Sequence, residues 1–401
     1  MLESRPVAQP SPKPRTLRAR KFDAVPLLDL QRQYRQIRDE VLAAIERVCS
    51  SQQFILGAEV EALEREIAAF TGTTEAIACA SGSDALWLAL SAAGVHAGDA
   101  VLTTAFSFVA SASAIVRTGA RPVLVDVDPR TLNLDPTQAA VRLREGGSYK
   151  VQALLPVHLY GQCADMDGLQ RLAEEFHIPL IEDAAQAIGA AWRKRPAGSL
   201  GLTAAFSFYP TKNLSAYGDA GLVTTSNAEF AERMRSLRNH GSLRRYYHEE
   251  IGANSRMDAL QAAILRVKLP HVEKWNQQRR EHADHYNRLL AEAGLLSRQG
   301  AAPVRLLETS SHARHVFHQY VIRAERRDEL RKFLTGRKIG TEIYYPLPLH
   351  LQPCFAYLGH REGDLPESER AAREVIALPM FPELTRDEQQ WVVESIAEFY
   401  S

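Results

Sequence analysis

The fold of this chain is decided by the stretch Ala205-Phe206-Ser207-Phe208-Tyr209-Pro210-Thr211-Lys212-Asn213-Leu214. Residues 204–209 are apolar or aromatic apart from one serine, which predicts a buried strand. Pro210 ends the strand because proline cannot donate to a β-ladder. Lys212, just past this break, has two interpretations. It is either an ordinary surface lysine, or a partly desolvated amine of lowered pKa that bonds covalently to a carbonyl group.

Strands alternate with helices on both sides of this stretch. Further strands are predicted at residues 76–80, 100–103, 122–126, 151–157, 178–183 and 221–225. Such a rhythm is typical of a mostly parallel sheet covered by helices on both faces. Ligands bind beyond the carboxyl ends of the strands in these sheets. Five residues are predicted at or just past such ends: Ser83, Phe108, His158, Asp183 and Lys212.

The turn Ser81-Gly82-Ser83-Asp84 joins a predicted strand to a predicted helix. Free backbone N–H groups and the positive end of a helix dipole make such a turn a site for an anion. The same residues also fit a simple helix N-cap, formed by Ser81 or Ser83. This local pattern leaves both interpretations open.

Four features together predict a site for pyridoxal phosphate (PLP). This cofactor needs a lysine for its aldehyde, an acidic partner for its ring nitrogen, an anion site for its phosphate and a flat side chain against its ring. The chain offers the anion turn, Phe108, Asp183 and Lys212, in that order. Each feature alone is common, but the ordered set favours the catalytic interpretation of Lys212 and Asp183.

Five motifs beyond Pro26 carry a family resemblance. They are Ser81-Gly82-Ser83-Asp84-Ala85-Leu86, Val157-His158-Leu159-Tyr160-Gly161, Glu182-Asp183-Ala184-Ala185-Gln186, Ser207-Phe208-Tyr209-Pro210-Thr211-Lys212-Asn213-Leu214 and Asn254-Ser255-Arg256-Met257-Asp258. They resemble the DegT/StrS-type sugar aminotransferases, a family of fold-type I PLP enzymes. The resemblance implies an α/β fold. It has a large domain with a mostly parallel seven-stranded sheet between helices, and a smaller C-terminal α+β domain.

The resemblance also implies roles for particular residues. Lys212 would bond the cofactor, Asp183 would pair with its ring nitrogen, and Gln186 would contact its phenolic oxygen. Phe108 would stack on the ring, and Gly82, Ser83 and Ser207 would hold the phosphate. Asn254 would reach the cofactor phosphate of the neighbouring subunit, which implies a homodimer with shared active sites. Related sugar dehydratases carry histidine in place of the lysine, so Lys212 favours amino transfer.

The substrates follow from the same resemblance. Glutamate would donate the amino group in a ping-pong reaction, and a keto sugar on a nucleoside diphosphate would accept it for amino-sugar biosynthesis. The triplet Asn254-Ser255-Arg256 resembles members that act on 3-keto rather than 4-keto sugars. Candidate substrate contacts are His158, Arg256, Tyr345 and His350. Arg244, Arg245 and Arg256 are candidates for the diphosphate, although a solvated loop explains them equally well.

Two other classes of function remain as alternatives. One is different PLP chemistry on the same scaffold, such as dehydration or the synthesis of an aromatic amine. The other is a regulatory or binding protein that has kept the fold without turnover.

The chain is divided here into three parts. Residues 1–24 form a basic, proline-rich tail that we expect to be disordered, residues 25–265 a large PLP-binding domain, and residues 266–401 a small C-terminal domain. Within these parts, Ser255 and Asp258 form a capping-box pattern, and residues 341–345 are predicted as a strand. The turn at residues 218–221 is interpreted as one that needs the backbone freedom of glycine.

Composition limits the partners of the protein. Of the 401 residues, 48 are Lys or Arg and 48 are Asp or Glu, so no overall charge favours nucleic acid or a membrane surface. No run of 18 apolar residues predicts a membrane span. The four cysteines are far apart, which favours reduced thiols and a cytoplasmic location. The clustered histidines lack acidic or cysteine partners at metal-site spacing, so no metal is predicted.

Overall fold

The computed structural model describes residues 23–146, 149–296 and 302–401. Of the predicted tail, residues 1–22 lie outside this described part. The strands, numbered in chain order, are β1 Glu75–Cys79, β2 Asp99–Thr104, β3 Arg121–Val125, β4 Lys150–Leu155, β5 Ile181–Asp183, β6 Ala191–Trp192, β7 Arg195–Pro196, β8 Thr203–Ser207, β9 Gly221–Thr225, β10 Val304–Leu306, β11 Ala313–Arg314, β12 Tyr320–Ala324 and β13 Val375–Leu378. The α-helices are α1 Leu30–Ser51, α2 Ala58–Thr71, α3 Gly82–Ala92, α4 Ala110–Arg117, α5 Pro136–Glu145, α6 Met166–Glu175, α7 Ala228–Leu237, α8 Ala259–Lys268, α9 Val272–Glu292, α10 Arg327–Gly336, α11 Pro366–Glu374 and α12 Arg386–Tyr400.

The central sheet has the strand order β1-β9-β8-β5-β4-β2-β3. Regular pairing forms the groups β1-β9-β8-β5 and β3-β2-β4. Parallel bridges at Leu154–Leu180 and Val157–Asp183 join β4 to β5. Only β9 runs antiparallel to its neighbours in this sheet. The predicted mostly parallel, seven-stranded sheet is therefore confirmed.

The strands are apolar because helices cover the sheet on both faces. In β1, Ala76 and Ala78 pack in a core that includes residues of α2 and α8, whereas Ile77 and Cys79 pack in a second core with α3 and α7. Successive side chains of a strand point to opposite faces, so both faces require apolar residues. Polar side chains can reach a site only where the strands end.

The C-terminal unit is built on a second sheet, in which β12 pairs antiparallel with both β10 and β13. Its core also holds Val25, near the start of the described chain. The Val25 N–H donates to the carbonyl of Lys338 at 3.0 Å, and the Gly340 N–H donates to the carbonyl of Val25 at 2.8 Å. The predicted large domain thus begins with a residue that packs on the other unit.

The predicted boundary at residue 266 falls inside helix α8. Residues of α8 pack in the large core, together with Val272 at the start of α9. Later residues of α9, among them Ala283 and Tyr286, pack in the C-terminal core. We therefore propose that the two units divide within α9. None of the described helices is long and apolar enough to cross a bilayer.

Two local predictions were wrong. Residues 341–345 form no strand, because Glu342 alone bridges to Ala377 of β13 and Tyr345 turns its ring toward Phe106. Ser255 and Asp258 do not form a capping box. The Ser255 hydroxyl donates instead to Asp84 at 2.8 Å, and helix α8 begins after Asp258 without a side-chain cap.

Candidate active site

Lys212 lies in a tight turn after β8. Its backbone N–H donates to the carbonyl of Tyr209 at 2.8 Å, on the far side of Pro210. The side chain is half-buried. Burial lowers the pKa of the Lys212 amine from 10.5 to about 8 because it disfavours the ammonium form, and the charge of Asp183 opposes this shift. A substantial fraction of the amine is therefore uncharged and nucleophilic near neutral pH.

Asp183 ends strand β5, next to β8 in the sheet and opposite Ala205. Its carboxylate accepts a hydrogen bond from the Ser111 hydroxyl at 2.7 Å and another from the Ala185 N–H at 3.2 Å. Burial raises the pKa of Asp183, while the bond from Ser111 and the charge of Lys212 act in the opposite direction. The sheet thus brings together the two residues that were predicted to be catalytic.

The predicted anion turn lies at the N-terminus of helix α3. The Ser81 hydroxyl accepts from the Asp84 N–H at 3.1 Å, so Ser81 is the helix cap. Ser83 is not used as the cap. A Cβ atom at Gly82 would lie 2.6 Å from Cβ of Ser207, which means that only glycine allows the helix start to approach the end of β8 so closely. Gly82, Ser83 and Ser207 therefore lie around one helix N-terminus, where an anion is stabilised.

Gly221 packs against the backbone of the same turn, at Ser81 and Gly82. A Cβ atom there would lie 2.2 Å from the carbonyl oxygen of Ser81. Neither Gly218 nor Gly221 has a positive φ angle. Glycine is needed at position 221 for space and not for a special backbone conformation, which corrects the interpretation from sequence.

Two aromatic rings, those of Phe108 and Tyr345, lie next to each other. The Phe108 side chain is 55% exposed, and its ring centroid lies 6.2 Å from that of Tyr345. Gln186 is buried, accepts from the Tyr160 N–H at 2.6 Å and donates to the Tyr345 hydroxyl at 3.2 Å. Phe108 is therefore free to offer a ring face to a ligand, and Gln186 connects the large domain to the loop that carries Tyr345.

Comparison with known proteins matches this arrangement to one family. The family model described as the DegT/DnrJ/EryC1/StrS aminotransferase family matches residues 35–397. The chain belongs to this family. The family predicted from the sequence motifs and the predicted aminotransferase class are both confirmed.

Individual relatives cover nearly the whole of this family member. A "pleiotropic regulatory protein" of Geobacillus stearothermophilus is 52% identical over 94% of this chain and 98% of its own. The dTDP-3-amino-3,4,6-trideoxy-alpha-D-glucose transaminase of Streptomyces venezuelae is 43% identical over 94% of this chain and 96% of its own. The crystal structure of S. venezuelae DesV in complex with a ketimine intermediate has a TM-score of 0.89 and 42% identity. It covers 94% of this chain and 99% of its own.

The family is PLP-dependent, and its solved members have the fold-type I architecture. The structure of NtdA from Bacillus subtilis holds pyridoxamine phosphate. It is 30% identical to this aminotransferase-family chain, has a TM-score of 0.85, and covers 95% of this chain and 86% of its own. The predicted fold class is therefore confirmed.

Two predicted substrate contacts are not exposed in this family member. His158 has no exposed surface, and its ring nitrogens contact Glu182 at 2.9 Å and the Ala164 N–H at 3.2 Å. His350 is 1% exposed, and its Nε2 lies 3.0 Å from Glu369. Both histidines support the surrounding backbone, and we leave them out of the proposed substrate site.

Asn254 and Arg256 lie on the loop between α7 and α8. Asn254 is exposed, and its side-chain oxygen accepts from Nε of Arg256 at 3.0 Å. Arg256 also donates to Asn239 at 3.3 Å. Arg244 and Arg245 lie on the same loop, stacked on the rings of the neighbouring tyrosines. The loop thus presents polar and cationic groups on the surface of the chain.

The sequence interpretation missed Ser111, which contacts Asp183 directly. The hydroxyl oxygen of a second serine, Ser107, lies 2.9 Å from the hydroxyl oxygen of Ser111. A pair of serines spaced by four at the start of a helix was the available signal, but many helix starts share it. Only the tertiary fold shows that Asp183 lies opposite.

Proposed function

We propose that this family member moves an amino group from glutamate to a keto sugar carried on a nucleoside diphosphate, by a ping-pong reaction with PLP as the cofactor. The observation that carries the proposal is the Lys212–Asp183 pair, held at the end of β5 and in the turn after the neighbouring strand β8, beside a helix N-terminus. The names of several relatives support the sugar class. A cytoplasmic location stays a prediction.

The residues present fit the cofactor. The turn that Gly82 and Gly221 allow would bind its phosphate, and the buried carboxylate of Asp183 would face its ring nitrogen. Phe108 would cover one face of the ring, with Gln186 near its phenolic oxygen. When bound, the cofactor would supply an electron sink for the carbanion that forms when a proton leaves the amino acid. Lys212 would hold it covalently between turnovers.

Lys212 then has a second task. With the donor amino acid bound, the Lys212 amine would remove the donor's α-proton as a general base and later give that proton back as a general acid. A general base works best when its pKa lies near the working pH, and the pKa of about 8 meets this condition. Asp183 stays ionised above its own pKa and supplies the negative charge that holds a ring nitrogen in its protonated form.

For the acceptor we propose a 3-keto sugar nucleotide. Several relatives carry 3-amino sugars in their names, including a dTDP-3-amino-3,6-dideoxy-alpha-D-galactopyranose transaminase. In this chain the Tyr345 hydroxyl accepts a hydrogen bond from Gln186 and so lies next to the proposed cofactor site. Arg256 offers a cation for the diphosphate. A panel of 3-keto and 4-keto nucleotide sugars would test this assignment by comparing turnover.

The first test uses glutamate alone. Purified protein loaded with PLP should convert its cofactor to the pyridoxamine form on addition of glutamate, and release 2-oxoglutarate in equal amount. Absorbance spectra and an assay for 2-oxoglutarate measure the two products. A protein that binds PLP but yields neither product would favour the dehydratase or aromatic-amine alternatives. A protein that binds no PLP would favour the regulatory function that the Geobacillus relative's name suggests.

We also propose a homodimer in which Asn254 serves the neighbouring subunit's cofactor phosphate. The exposure of Asn254 supports this role. Losing one hydrogen bond to a charged group costs about 1.5–3 kcal/mol, so Asn254→Ala should weaken cofactor binding about 10- to 100-fold.

Mixed dimers test this sharing. Mixing Lys212→Ala subunits with Asn254→Ala subunits should restore activity, because each mixed dimer then contains one site with both residues and one with neither. Amino transfer is measured before and after the two proteins are unfolded and refolded together. The matched control is each variant refolded alone at the same limiting concentration of PLP, because Asn254→Ala dimers keep Lys212 and therefore some activity. Failure of the mixture to exceed the summed activity of these controls would exclude shared sites.

A further inference from the structure

A chain of buried polar side chains begins at the residue next to Lys212. Asn213 is 4% exposed, Asn276 of helix α9 is 0% exposed, and His318 before β12 is 8% exposed. The Asn213 amide nitrogen donates to Oδ1 of Asn276 at 2.7 Å, and Oδ1 of Asn213 lies 3.1 Å from Nδ1 of His318. Asn276 donates in turn to the carbonyl of Ile188 at 3.0 Å. Three distant segments of the chain are thus joined to the turn that carries Lys212.

The direction of these hydrogen bonds is fixed by a backbone carbonyl. The amide nitrogen of Asn213 also lies 3.2 Å from the carbonyl oxygen of Val316, which can only accept. Oδ1 of Asn213 therefore points to His318. Since this oxygen too can only accept, the proton of His318 must be on Nδ1. The structure thus determines the tautomer of a histidine that lies close to the amine.

His318 is also kept uncharged and held in place. Burial and the nearby cations Lys212 and Arg279 hold the pKa of His318 well below its usual range. The buried guanidinium of Arg279 donates to the carbonyl oxygens of Phe317, His318 and Met380 at 3.1 to 3.4 Å. The imidazole is therefore a neutral donor on a fixed backbone, and it adds no positive charge beside Lys212.

We propose that His318 is a positioning residue for Lys212, acting through the hydrogen bond from its Nδ1–H to Asn213. The bond fixes the backbone of residues 212 and 213, so that the Lys212 amine stays buried near the carboxylate of Asp183. The proposal rests on the proposed function only in taking Lys212 as the reactive amine. Without the bond, Oδ1 of Asn213 would be buried without a partner, and the turn would shift to reach water.

A matched pair of variants separates the hydrogen bond from the shape of the side chain. In His318→Asn, the amide nitrogen takes nearly the place of Nδ1 and keeps the donor. His318→Leu has almost the same shape as the asparagine but no donor. Asn276→Leu removes the other side-chain partner of Asn213. It serves as a second disruption of the Asn213 contacts if His318→Leu does not fold, as judged by thermal unfolding.

The first measurement needs neither cofactor nor substrate. Lysines of the cofactor-free, full-length protein are ¹³C-methylated, and the Lys212 signal is titrated by NMR, assigned by its absence from Lys212→Arg protein. The wild type and His318→Asn should titrate alike. His318→Leu should titrate roughly one pH unit higher, because a loosened turn admits water to the amine. With glutamate, the turnover number of His318→Leu should fall about 100-fold with little change in KM.

Two results would overturn the proposal. Leucine and asparagine variants that both match the wild type would show that the bond does not act on Lys212. An asparagine variant as impaired as the leucine variant would show that the imidazole itself is required and not its Nδ1–H donor. If Lys212 of the wild-type protein titrates as expected but the protein releases no 2-oxoglutarate from glutamate, the result contradicts only the proposed function.

Discussion

Replacing Lys212 with alanine is expected to abolish amino transfer. The variant loses both the covalent attachment of the cofactor and the general base, and a general base alone contributes up to about 10⁴-fold. The rate of 2-oxoglutarate release from glutamate should therefore fall by about 10⁴-fold. The absorbance of the lysine-linked cofactor should vanish, because no other amine lies beside Asp183 among the described contacts of that carboxylate.

The chain offers a matched control for this experiment in Lys268. Its amine is also buried, with a pKa lowered to about 7, and it donates to the Ser215 hydroxyl at 2.9 Å above the ring of Tyr217. Low pKa alone would make it as reactive as Lys212, but no carboxylate contributes to its shift. Lys268→Met should keep the lysine-linked absorbance. Borohydride reduction of the loaded wild type should label the peptide of Lys212, and a label on Lys268 would contradict our assignment.

The architecture could be predicted because it depends on local patterns. Continuous apolar strands separated by helices predict a parallel sheet. Such a sheet brings the carboxyl ends of its strands to one edge, independently of the conformation of the loops. This reasoning placed Asp183 and Lys212 in one site although 29 residues of sequence separate them. Their neighbouring positions, at the end of β5 and in the turn after β8, depend on strand order, which only the structure supplies.

Glu182 and His158 show where prediction from sequence ends. Glu182 and Asp183 are adjacent and similar, but they point to opposite sides of β5. Asp183 reaches the site, whereas Glu182 is fully buried and accepts from the N–H groups of Gly198, Leu200 and Gly201. His158 is buried on the same side, with its Nε2 2.9 Å from the Glu182 carboxylate. A polar residue at a strand end thus suggests a site, but the side that it faces depends on the register.

The contacts that refine the site were beyond prediction for a related reason. Ser111 meets Asp183 across 72 residues, His318 meets Asn213 across 105, and Gln186 meets Tyr345 across 159. No periodicity joins such pairs, and each partner has an ordinary local explanation. The family resemblance supplied residues that would touch the cofactor, but not the side chains that hold those residues in place.

Asp183→Asn is expected to make the protein less active but more stable. Loss of the charge opposite the ring nitrogen should lower the rate of amino transfer by about 10²- to 10³-fold, the usual effect of removing one electrostatic contact to the reacting group. Stability should change in the other direction. Because the folded-state pKa of Asp183 lies above its unfolded value, the ionised carboxylate destabilises the fold increasingly as pH rises through the folded pKa. At neutral pH the cofactor-free variant should therefore have a higher Tm than the wild type.

The pH dependence of the rate separates this explanation from simple damage to the site. Wild-type activity should fall on the acid side as Asp183 takes up a proton. Burial raises the pH of this fall, and the protonated ring nitrogen opposite the carboxylate lowers it. Ser111→Ala removes a hydrogen bond that lowers the pKa of Asp183, so it should move the acid limb further upward. Asp183→Asn should lack this limb. If Ser111→Ala does not move the acid limb, the carboxylate at position 183 is not the ionising group that the reaction needs. A lower Tm for Asp183→Asn would show that the ionised carboxylate does not destabilise the fold.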